Sequence, residues 1–159
     1  MSMTANPESV VDEGQFAVRR SIRIAASVEK VWEAVTEPAH ISQWFGIAEF
    51  AGAGAGATGT LTFEGYGTIP VRVEAFDPFR SVTYRWGNDD ALGTPPAEVD
   101  PERSTAFTFT LEPVDGGTRL TVVESGFENT SDPRANLESH RTGWNEELDK
   151  LVALLESGS

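Results

Sequence analysis

The segment from Asp132 to Glu156 constrains the fold more than any other part of the sequence. At 100° per residue, Leu137, Trp144, Leu148, Leu151, Val152 and Leu155 fall on one arc of roughly 100°, the apolar stripe of a helix that lies against a core. Asp132 suits the N-cap, Pro133 the first helical position, and Gly158 follows the end. At 1.5 Å rise per residue the helix is a rod of roughly 36 Å, long enough to cross a small domain. Such a rod needs a broad apolar surface to lie on.

The preceding sequence supplies that surface. In Phe16–Ile24, Phe16, Val18, Ile22 and Ile24 share one parity with Arg19, Ser21 and Arg23 opposite, the pattern of a half-buried strand. Arg20 breaks it by carrying a charge on the apolar face. Ser27 caps a short helix with Val28, Val31, Trp32 and Val35 at helical spacing; Pro38 ends it, and a second short helix follows from about Ala39 to Phe45. Strands are expected at Thr60–Glu64, Thr68–Phe76, Ser81–Trp86, Thr105–Leu111 and Thr118–Glu124, rich in aromatic and β-branched residues. The turn Asp115-Gly116-Gly117 joins the last two. Residues 1–15 are polar and acidic without periodicity and are expected to be a disordered tail, leaving a single domain over 16–157. The alternating Ala/Gly stretch 51–59 and the acidic, proline-bearing stretch 87–103 read as loops.

Composition narrows the function. A net charge of −13 repels phosphate backbones and anionic headgroups, so neither nucleic acid nor membrane is expected as a partner. No apolar run reaches the length of a membrane span or signal-peptide core, which makes a cytoplasmic location the expectation. Without cysteine there is no disulfide, thiolate nucleophile or thiolate metal site. His40 and His140 are the only histidines and lack a clustered carboxylate pattern, so no metal is expected. No dinucleotide fingerprint, phosphate loop or nucleophile elbow is present, and no cofactor is expected.

Three stretches carry a family resemblance. Val31-Trp32-Glu33-Ala34-Val35-Thr36-Glu37-Pro38 followed by Trp44-Phe45, Thr121 to Phe127 (TVVESGF), and Gly143-Trp144-Asn145-Glu146-Glu147-Leu148-Asp149-Lys150-Leu151 resemble the opening pattern, last strand and helix motif of the SRPBCC superfamily. The superfamily includes the START and birch-pollen-allergen proteins. The resemblance covers about Phe16 to Glu156 and points to the bacterial branch named after the activator of the heat-shock-protein-90 ATPase. It implies an α+β helix-grip fold: a seven-stranded antiparallel sheet wrapped around the long C-terminal helix, two short helices after the first strand, and a cavity between sheet and helix. It implies no shared catalytic residue and no chaperone activity.

Candidate residues follow from parity and fold. Glu124 shares the inward parity of Leu120 and Val122, and a buried carboxylate needs a partner. Arg20, inward on what the fold makes a neighbouring strand, is the expected one. Arg141 lies within the helix's apolar arc and His140 at its edge, where either would reach a cavity mouth. Trp32, Trp44, Tyr84, Trp86, Phe107 and Trp144 come from elements that the fold converges on one interior and complete the candidate ligand cavity. Binding of a small hydrophobic or aromatic molecule there, by a monomer or homodimer, is the leading expectation, and the chain is expected not to be an enzyme. The alternatives are a polyketide cyclase/aromatase-like enzyme using Glu124, Arg141, His140 or Tyr84 to move protons, and a protein-interaction or co-chaperone-like module.

Overall fold

The computed structural model describes residues 6–89, 96 and 98–157. Strands β1 (Val10–Asp12), β2 (Ala17–Ile24), β3 (Ile47–Ala51), β4 (Thr58–Phe63), β5 (Gly67–Asp77), β6 (Ser81–Trp86), β7 (Thr105–Val114) and β8 (Gly117–Ser125) form one sheet. Its order is β1-β2-β8-β7-β6-β5-β4-β3, and every pair is antiparallel. Helices α1 (Val28–Thr36) and α2 (Pro38–Ile41) follow β2, and the long α3 (Pro133–Ser157) closes the described chain. This is the helix-grip fold.

Alternation places the core. On β8, Thr118, Leu120, Val122 and Glu124 are buried, with more exposed residues between them; on β7, Thr105, Phe107, Phe109 and Leu111 do the same. These faces, with Val82, Tyr84 and Trp86 of β6, make the concave surface. From α3, Leu137, Trp144, Leu148 and Leu151 are buried, while Val152 and Leu155 are only partly covered. The Asp132 carboxylate accepts from Ala135 N at 3.1 Å, the N-cap geometry that starts α3 there. Ser27 caps α1 in the same way, its hydroxyl accepting from Lys30 N at 3.3 Å.

Among the described residues eight strands stand where seven were expected, and the N-terminal segment supplies one of them. Val10–Asp12 pairs with Ala17–Arg19, so the described part of the expected disordered tail is instead docked. It is held by more than a strand. Ser9 N donates to Asn145 Oδ1 at 2.7 Å, Pro7 O accepts from Arg20 Nε at 2.8 Å, and Asn6 Oδ1 accepts from Arg23 N at 2.9 Å. A short polar segment cannot announce such docking by periodicity, because its partners lie far along the chain. Residues 1–5 fall outside the described set, as do 90–95 and 97 of the expected 87–103 loop.

The Ala/Gly alternation has a backbone cause. Gly52, Gly54 and Gly56 all adopt positive φ, between 72° and 93°, in the turn from β3 to β4. Only glycine enters that region without strain, so the sequence places it at every second position.

Candidate functional site

Glu124 is the chemical centre of the interior. Its carboxylate has no exposed surface and accepts four hydrogen bonds. Oε2 receives Trp86 Nε1–H at 2.8 Å and the Thr105 hydroxyl at 2.5 Å; Oε1 receives Trp144 Nε1–H at 2.9 Å and His140 Nδ1 at 2.8 Å. Strand register explains the first pair, because Trp86 and Thr105 face each other across β6 and β7 and share Glu124's side of the sheet. Helical spacing explains the second, since His140 and Trp144 are four residues apart on one face of α3. Burial works against the charge on Glu124. The charge of His140 and its hydrogen bond, with those from Thr105 and Trp86, outweigh burial and hold the carboxyl below the ordinary 4.5. With Nδ1 donating to a carboxylate, His140 has its ring orientation and tautomer set from behind.

A pocket of about 520 Å³ opens beside this network, between α3 and the strands β4 to β6. Its apolar wall is Phe45, Phe63, Ile69, Trp86 and Trp144. Phe45 stacks on Trp144 with centroids 5.6 Å apart, and Trp86 lies 6.1 Å from Trp144, so the wall is a continuous aromatic surface. Tyr66 and Asn88 stand at the rim, where the Tyr66 hydroxyl donates to Asn88 Oδ1 at 3.1 Å. The α3 side carries Ser139, His140, Thr142, Gly143, Glu146 and Glu147. Burial pushes the Glu147 carboxyl up; Lys150, 3.0 Å away, pulls it down, and neighbouring Glu146 adds to the rise.

Of the residues expected in the cavity, Trp86, His140 and Trp144 line the pocket, and Glu124 and Phe107 sit directly behind its wall. Phe107 packs its ring 4.6 Å from Trp86 and 5.1 Å from Trp144. The others lie elsewhere. Arg20 is buried and inward, but its cross-strand neighbour is Val122, and its guanidinium goes to Asp149 at 2.8 Å and to the carbonyls of Trp144 and Asn145. It does not pair with Glu124, because both groups are already saturated by other partners. Arg141, though within the apolar arc, turns its long side chain outward to Glu138 at 3.0 Å and keeps its charge at the surface.

Trp32 packs against Phe76 and Phe79, centroids 5.3 and 5.9 Å away, outside the pocket. Trp44 donates its indole N–H to Ala34 O, tying the turn after α2 back to α1, and the Tyr84 hydroxyl donates to Val35 O, tying α1 to the sheet. Burial, then the Glu37 charge, raises the Tyr84 phenol above its ordinary value, and the proton stays on. Sequence reasoning missed Phe63, Ile69, Tyr66, Asn88 and the small α3 residues, since strand parity assigns a face and not the gap beside it. The one available signal was Gly143 in mid-helix. Among the described residues no group of three or more His, Cys, Asp or Glu is arranged to hold a metal, and no helix is long and apolar enough to cross a membrane.

A sheet gripping a long helix, with an aromatic pocket between them, defines a helix-grip protein of the SRPBCC type, a ligand-binding fold. More narrowly, the chain belongs to the family described as Activator of Hsp90 ATPase homolog 1-like protein, whose model matches residues 25–156. Protein MLL2253 from Mesorhizobium loti is similar at 28% identity, over 90% of this chain and 98% of that one, with a TM-score of 0.74. DynU16, a protein of the dynemicin biosynthetic locus, is 28% identical over 90% of this chain with a TM-score of 0.72; the match spans 48% of DynU16, about half its length. The Aha1 dimer from Colwellia psychrerythraea shares the fold at 24% identity and a TM-score of 0.68, over 90% of this chain and 98% of that one. No curated protein matches the chain.

Proposed function

We propose that this protein binds a small hydrophobic or aromatic molecule in the pocket between α3 and the sheet. The observation that carries the reading is the pocket itself: about 520 Å³, walled by Phe45, Phe63, Trp86 and Trp144, with polar groups confined to its α3 side and rim. Ligand sites are typically concave, of roughly 300–1,000 Å³, mostly apolar, with a few placed polar groups. The Glu124 network supports it further, because one carboxylate orients both tryptophans of the wall before any ligand arrives, and a preformed site loses less entropy on binding. The location of the similar DynU16 in a biosynthetic locus accords with a small-molecule ligand.

The test uses the wall as its own reporter. Titrating neutral naphthalene derivatives should change the emission of Trp86 and Trp144, and native mass spectrometry of protein from its own host should show a copurified small molecule. Gly143→Leu is the blocking variant, since a Cβ there meets nothing within 4 Å and the residue lines the pocket. A folded Gly143→Leu protein that binds as well as wild type refutes the assignment.

A further inference from the structure

The polar groups of the pocket are unequal in charge, and this names the class of ligand. The inference rests on the binding reading above. Among the described residues, those lining the pocket include two carboxylates, Glu146 and Glu147, and no lysine or arginine. The one lining histidine, His140, has Nδ1 on Glu124, so a proton on that ring is matched by a carboxylate 2.8 Å away. We propose that the pocket takes a hydrophobic cation, an amine or ammonium compound with an aromatic or aliphatic body.

Three features carry this. An anion entering would surrender its hydration and find two carboxylates and no counter-charge, in a protein whose net charge is −13. A cation finds Glu147, whose side chain is only 18% exposed, so that the attraction is less screened than at an open surface. It also finds aromatic rings, whose faces attract ammonium groups. Lys150 is the present partner of Glu147, but it is 54% exposed and makes a pair of the kind worth little, so it can swing into water and yield its place. The raised Glu147 carboxyl fits the same picture, being a charge that its present surroundings compensate poorly.

A matched series tests the charge apart from the apolar body: 1-naphthylmethylammonium, 1-naphthalenemethanol and 1-naphthoate, titrated at pH 7.5 in low salt by calorimetry and tryptophan emission. The ammonium compound should bind tightest, by about three- to tenfold over the alcohol, the range of a partly shielded ion pair, and the carboxylate weakest. Glu147→Gln should bring the ammonium-to-alcohol ratio close to one, and Lys150→Gln should widen it. Equal affinities for all three, still abolished by Gly143→Leu, overturn the charge inference and leave the binding reading standing. An ammonium preference unchanged by Glu147→Gln also overturns it, placing the effect in the overall charge of the molecule. If none of the three binds, both readings fall.

Discussion

Glu124→Gln is the most informative single substitution, because it keeps the shape of the side chain and changes only its hydrogen-bond grammar. The carboxylate accepts from four donors, two on each oxygen. A glutamine has one oxygen and one NH₂, so one pair of donors must face a third donor. With the NH₂ at the Oε2 position, the Thr105 hydroxyl turns to accept, and the Trp86 indole loses its bond to residue 124 and keeps only the one at 3.0 Å to Thr105 Oγ1. With the NH₂ at the Oε1 position, His140 accepts through its other tautomer, and the Trp144 indole is orphaned instead. In either arrangement one buried indole N–H loses its charge-assisted bond, and the remaining charge-assisted bonds become neutral ones; together these cost about 2–4 kcal/mol. For a domain of this size that lowers Tm by roughly 5–15 °C. Urea unfolding at pH 7 measures it directly. The Trp144→Phe background sharpens the test, for it removes the indole that an NH₂ at the Oε1 position would strand: Glu124→Gln should then cost distinctly less than in wild type. A Glu124→Gln protein within about 0.5 kcal/mol of wild type, or a cycle without coupling, would refute the four-donor account.

The acid limb of stability should follow the same carboxylate. Its folded pKa lies below the ordinary 4.5, so its contribution is complete above that pH and is lost as pH falls through the folded value; wild type should lose stability more steeply there than Glu124→Gln in an acid titration of unfolding. Leu151→Asp places a charge where Leu151 has no exposure and should give no cooperative near-UV melt, whereas Arg141→Ala, removing an exposed pair with Glu138, should stay within about 0.5 kcal/mol. Arg20→Met should cost about 1–3 kcal/mol in urea, by stripping donors from Pro7 O and the carbonyls of α3 and loosening the N-terminal segment. Gly143→Ala should raise stability by about 0.5–1 kcal/mol, since the helix gains a better former and the added methyl meets nothing.

Sequence periodicity carries local information, and what was legible followed that limit. The inward parity of Glu124, the amphipathic span of α3 with its Asp132 cap, and the helix-kink-helix after β2 are all set by neighbours within a few residues. Arg20 was rightly placed inward, but apart from Pro7 O its partners are on α3 more than a hundred residues later, and parity cannot choose among distant acceptors. The edge strands β1 and β3, three and five residues long, are short enough that pairing defines them more than pattern does. Trp32, Trp44 and Tyr84 have the same composition signal as Trp86 and Trp144. They differ in which neighbours their elements bring them against, and that is a tertiary fact. The pocket is harder still, being the space that Ser139, Thr142 and Gly143 do not fill.

The Glu124 network also divides the pocket into parts with different freedom to vary. Trp86, Trp144 and His140 all answer to one carboxylate, so exchanging any of them strands a group inside the protein. Phe63 and Ile69 on the strands, and Gly143 on α3, line the same space and donate no bond to that carboxylate. Descendants of this chain can therefore acquire new ligands by drifting at those three positions while the anchored half is inherited intact. A designer wishing to retarget the pocket would start from the same three residues.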